Sequence, residues 1–147
     1  MKKDVSDTLS EESDILQEVI GDFMSSPVLS IDHTATVQEA AQYMQASNVG
    51  SLLVKEYQDY AGIVTETDLS RKVVGAGLKP ETTLVSAIMS KSLHKMDRYF
   101  PVEEANEYMH KNRIRHLAIT EEDKIVGMLS MKDLVAYYAK SSFRMHE

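Results

Sequence analysis

Gly62-Ile63-Val64-Thr65-Glu66-Thr67-Asp68-Leu69 returns 65 residues later as Gly127-Met128-Leu129-Ser130-Met131-Lys132-Asp133-Leu134. In both stretches a glycine sits in an apolar run, a hydroxyl follows three residues on, and an aspartate three further. The same shift carries Met24 onto Met89, Asp32 onto Asp97, Val37 onto Val102, Ala40 onto Ala105, Tyr43 onto Tyr108, Met44 onto Met109 and Leu52 onto Leu117, without a gap. Thirteen of fifty-five pairs are identical at this shift, where ordinary residue usage gives roughly three or four. Self-similarity of this kind decides the fold before any local propensity is weighed. Two copies are too few for a solenoid. The expectation is therefore two repeats packed face to face about a pseudo-twofold axis, with two related clefts between them.

Each repeat reads as β-α-β-β-α, an α/β (α+β) plan. In the first, Pro27 to Ile31 is extended, and Thr36 caps a helix whose buried face is Val37, Ala40, Ala41 and Met44. Asn48-Val49-Gly50 turns the chain into a strand at Ser51–Val54, and a second strand runs Ala61–Val64. Thr65 opens a helix to about Val74, which Gly75-Ala76-Gly77 and Pro80 stop. The second repeat follows the same order, with Pro101 in place of Thr36, strands at His116–Ile119 and Lys124–Leu129, and a last helix from Ser130 to near Lys140. The boundaries expected are a leader at 1–18, repeats at 19–74 and 84–140, a linker at 75–83 and a tail at 141–147. A short leader helix starts at the capping-box spacing Thr8-Leu9-Ser10-Glu11 and shows Leu16, Val19 and Ile20 on one stripe. Met24, Met44, Met89, Met96, Met109 and Met128 read as core filler.

The 147 residues suit one compact domain or two half-domains sharing a core. No cysteine is present, so neither a disulfide nor thiolate chemistry is available, which suits a reducing cytoplasm. A net charge of -7 at pH 7 argues against nucleic acid and anionic membrane as partners. No apolar run nears the roughly 20 residues of a membrane span, and no secretory signal is expected behind Met1-Lys2-Lys3-Asp4. The five histidines show no HxxxH spacing, and neither GxxxxGK[ST] nor GxGxxG occurs. No catalytic constellation, metal set or enzymatic role follows.

The chemistry that remains sits at the repeated motif. A hydroxyl at a strand-to-helix junction lies where the helix terminus favours an anion, so a phosphate can accept from Thr65 or Ser130. An aspartate one turn on, Asp68 or Asp133, can accept from the two hydroxyls of a ribose. Gly62 and Gly127 permit close approach to the backbone. The same letters also spell two capping boxes, which need no ligand. Arg115-His116 enters the second repeat's first long strand and points to the Ser130 helix start if the strands pair. Arginine suits phosphate through its bidentate fork. The equivalent pair, Gly50-Ser51, is neutral, and Arg71-Lys72 is a further source of charge near the first motif.

Taken together, Asp22-Phe23-Met24, Thr36-Val37-x-Glu39-Ala40-Ala41, Val49 to Val54, Gly62 to Leu69, Arg71 to Val74, Ile88-Met89-Ser90, Ile114 to Leu117 and Gly127 to Leu134 resemble a tandem pair of CBS domains, the regulatory modules named after cystathionine β-synthase. The resemblance covers about residues 19–140. It implies clefts for adenine nucleotides: AMP, ADP, ATP, in some members NAD or S-adenosylmethionine. It places ribose on Asp68 and Asp133, phosphate on Thr65 and Ser130, and the basic pair on Arg115 and His116. It implies a homodimer and a downstream protein that reads the bound state. Many relatives carry arginine where this chain has Thr67. The rival reading is a structural or protein-interaction module that holds no ligand.

Overall fold

The computed structural model describes residues 17–145. They form a mixed α/β protein with two three-stranded sheets, each in a compact unit of its own.

The unit of residues 27–94 holds β1 (Ser30–Asp32), α1 (Val37–Ser47), β2 (Ser51–Glu56) and β3 (Asp59–Thr65). β1 and β2 pair in parallel, so the chain must cross over between them, and α1 is that crossover. Thr36 Oγ1 accepts the Glu39 amide at 3.1 Å and fixes where α1 begins. Asn48 ends it in the left-handed region at φ 54°, with its N–H returned to the carbonyls of Gln45 and Met44. The next strand then reads Ser51 to Val54 as four successive buried residues, the pattern of a strand covered on both faces. β2 and β3 form an antiparallel hairpin that pairs Ser51 with Thr65 and Leu52 with Val64. Val37, Ala40 and Met44 of α1 meet Leu52, Val54 and Val64 of the sheet in one apolar cluster.

After β3 the chain turns helical as α2 (Glu66–Asp68) and continues through Leu69–Val74 with π winding. The helix expected from Thr65 reaches Val74, its second part wound as a π-helix. The Gly75 amide reaches the Ser70 carbonyl at 2.8 Å, and the Leu78 amide reaches Val73 at 2.9 Å. Both are five-residue spans, the wider turn often found near functional positions. Gly77 leaves the segment at φ 71°, a conformation suited to glycine. A short α3 (Val85–Ile88) follows and buries Val85 and Ile88 in the same cluster.

The other unit contains the described residues up to Ser26 and those from Lys95 onward. It repeats the plan with β4 (Lys95–Asp97), α4 (Val102–Asn112), β5 (His116–Glu121), β6 (Lys124–Ser130) and α5 (Met131–Met145). Every strand and crossover-helix boundary lies 65 residues after its counterpart. Even the irregularities recur: register breaks at Val54/Lys55 and Ile119/Thr120, and left-handed helix ends at Asn48 and Arg113, both φ 54°. Pro101 precedes α4 without a side-chain cap, as its lack of a capping oxygen requires. Val102, Ala105, Met109, Leu117, Ile119, Leu129 and Leu134 form this unit's core.

Each compact unit joins one repeat's sheet to the other repeat's lead-in. The lead-in of the first repeat, ending Met24-Ser25, packs in the unit of the second repeat's sheet, where Ser25 and Met128 exchange backbone bonds of 2.8 and 3.0 Å. The lead-in of the second repeat packs in the unit of the first repeat's sheet, where Ser90 and Ile63 exchange two bonds of 2.9 Å. Two expectations change. Val19 is extended and bridges Pro101, with Ile20–Asp22 a single 3-10 turn, so the leader helix does not include Val19. Its start at Thr8 lies outside the described residues. α5 runs past Lys140 to Met145, since residues 141–145 hold neither glycine nor proline to stop it. No helix among the described residues is long and apolar enough to cross a membrane.

Candidate functional site

Each hairpin delivers its motif hydroxyl to the same place. Thr65 is the last residue of β3 and lies opposite Ser51; Ser130 is the last of β6 and lies opposite His116. The first helical amide then closes onto the neighbouring strand entry: Glu66 N–H donates to the Gly50 carbonyl at 3.1 Å, and Met131 N–H to the Arg115 carbonyl at 2.9 Å. Arg115 and His116 are thus brought to the Ser130 helix start, as the pairing of strands requires. Arg115 makes that contact with its backbone, and its side chain is exposed; His116 is half-buried. Ser51 is buried at 8% exposure.

Both motifs close as complete capping boxes. Asp68 Oδ2 accepts from the Thr65 amide at 2.9 Å and from Thr65 Oγ1 at 3.1 Å, while Thr65 Oγ1 accepts the Asp68 amide at 3.2 Å. Asp133 Oδ2 accepts from the Ser130 amide at 2.8 Å and from Ser130 Oγ at 3.0 Å, and Ser130 Oγ accepts the Asp133 amide at 3.2 Å. A hydroxyl has one hydrogen to give, and here it goes to the carboxylate. A phosphate role for Thr65 or Ser130 therefore requires the hydroxyl to rotate away from its aspartate.

The two motifs differ in what else holds the aspartate. Lys72 Nζ lies 3.0 Å from Asp68 Oδ1 and 3.0 Å from the Ile88 carbonyl oxygen. The residue at the equivalent place in the second repeat is Tyr137, which packs edge-on against Phe23 at 4.8 Å and belongs to the apolar cluster. Among the described residues Asp133 has no counterpart of this lysine. Of the basic pair Arg71-Lys72, then, Lys72 is joined to the motif and Arg71 is exposed. The lysine's partner was legible as an i,i+4 spacing from Asp68; its second contact, on Ile88, was not.

The glycines have an occupant already. A Cβ on Gly62 would stand 2.5 Å from the Ser90 carbonyl oxygen, and one on Gly127 would collide with Met24 Sδ and lie 2.9 Å from the Ser25 carbonyl. A close approach that both glycines permit is made by the chain's own lead-in segments. Among the described residues no group of three or more His, Cys, Asp or Glu gathers to hold a metal ion.

The CBS-domain family model matches residues 20–75 and again 85–140. The chain belongs to the CBS-domain family. Its two CBS domains account for both sheets and both motifs. The chain is 30% identical over 115 residues to the CBS domain-containing protein YhcV of Bacillus subtilis, covering 78% of this chain and 81% of that protein. It is 35% identical over 138 residues to the mitochondrial CBS domain-containing protein CBSX3 of Arabidopsis thaliana, covering 85% of this chain and 66% of that one. Among solved structures, an uncharacterized conserved protein of Pyrococcus horikoshii superposes with a TM-score of 0.78 at 31% identity, over 84% of this chain and 93% of that one.

Proposed function

We propose that this CBS-domain chain is a regulatory module, not an enzyme, that binds an adenine nucleotide at its Asp133 and Asp68 motifs and signals its bound state to a partner protein. One observation carries the reading: two carboxylates, each held beside a hydroxyl at a strand-to-helix junction by the same bonds in both repeats. A carboxylate so placed can accept from both hydroxyls of a ribose, and a hydroxyl released from it can donate to phosphate. AMP, ADP, ATP and NAD share that ribose-phosphate chemistry. A ligand that binds only the folded state raises stability by RT ln(1 + [L]/Kd). A hundredfold excess of AMP or ATP over its Kd should raise the melting temperature by roughly 5 °C or more. An unchanged melting temperature with every nucleotide would sink the proposal. That outcome would favour the ligand-free interaction module, which the completeness of both capping boxes supports.

The working unit of the proposal is a homodimer in the cytoplasm. The support is Val135 and Tyr138, spaced three apart on α5 with exposures of 63% and 36%, and Tyr43 on α1. Light scattering at micromolar concentration should report about twice the chain mass of 16.6 kDa. A monomer at that concentration contradicts this part.

A further inference from the structure

We infer that Lys72 is a built-in competitor for the Asp68 carboxylate, so that the Asp133 motif is the stronger ribose site and the Asp68 motif is held in reserve. The inference rests on the nucleotide reading above and goes beyond it by naming what makes the two motifs unequal.

The capping box uses only one oxygen of each aspartate. In both motifs Oδ2 takes the backbone amide and the hydroxyl. A ribose would therefore approach through Oδ1. At Asp68 that oxygen is already bonded to Lys72 Nζ at 3.0 Å. The ammonium is held from a second side by the Ile88 carbonyl, also at 3.0 Å. It bridges the motif to α3 and is not a loosely tethered surface charge. Asp68 is only 13% exposed in its side chain, so the carboxylate can be reached from few directions, and the lysine stands in one of them. Displacing it exchanges a charge-assisted bond for neutral hydroxyl donors. Lys72 is itself 47% exposed, which limits the strength of the pair. The competitor therefore weakens the site without abolishing it. In the second repeat Tyr137 stands at the equivalent position, bound into apolar packing with Phe23, and offers no cation.

Calorimetric titration with AMP of the full chain tests this in four forms: wild type, Asp133→Asn, Lys72→Met, and the double variant. The Asp133→Asn form weakens the second motif and so brings the first to the fore. The double variant should bind AMP on the order of tenfold more tightly than Asp133→Asn, and adding Asp68→Asn should remove the gain. Equal or weaker binding by the double variant overturns the inference, because Lys72 would then be neutral or would assist the phosphate. Failure of the nucleotide reading looks different: no form, wild type included, binds AMP, and the inference falls with it. Lys72→Gln serves as a second substitution, and a melting curve of each form verifies that it is folded.

Discussion

Gly62→Ala is expected to lower the stability of the protein by about 3 kcal/mol, the upper part of the range for forcing extra volume into packed structure. The obstacle is backbone: the new Cβ would stand 2.5 Å from the Ser90 carbonyl, with Met89 Sδ at 3.1 Å. Ser90 cannot move aside freely, because it exchanges two 2.9 Å bonds with Ile63, the residue after the glycine. Gly127→Ala should cost somewhat less: its nearest obstacle is the Met24 thioether, which can turn aside, and the backbone carbonyl it meets, that of Ser25, stands at 2.9 Å and not 2.5 Å. Urea denaturation of the two variants reads both quantities. A Gly62→Ala loss below about 1 kcal/mol would mean that the lead-in segment does not pack against β3 as described.

Asp133→Ala should weaken AMP binding by about 1.5–3 kcal/mol, the range for hydrogen bonds to a charged group. Because the lost contact is to the ribose, adenosine and ATP should lose as much as AMP. The same substitution removes the aspartate's half of the capping box of α5, its bonds from the Ser130 amide and hydroxyl, so stability should fall by about 1 kcal/mol independently of ligand. Titration calorimetry and a denaturation curve on one preparation separate the two effects. Lower stability with unchanged affinity would leave Asp133 as a cap and nothing more.

The duplicated elements were legible because their signals are local. A capping hydroxyl at Thr36, a left-handed turn after α1 and an apolar strand beginning at Ser51 act within a few residues of themselves. The shift of 65 then carried each reading to its copy. The motif was legible for the same reason: Thr65 with Asp68, and Ser130 with Asp133, meet within one helical turn. What could not be read is non-local. Met24-Ser25 and Met89-Ser90 are identical pairs, yet nothing in their letters says which sheet each lead-in joins, and each joins the other repeat's. The contacts that the two glycines make with the lead-in segments depend on that choice. The π winding of Leu69–Val74 likewise has no local breaker within those residues to announce it.

In the proposed function the motif aspartates take a ribose, and a crystal structure of the protein with saturating AMP would show it. The ribose hydroxyls should lie within hydrogen-bonding distance of the Asp133 carboxylate, with Ser130 Oγ turned from the aspartate to the phosphate. AMP bound elsewhere, or not at all, with both capping boxes still closed, would contradict it.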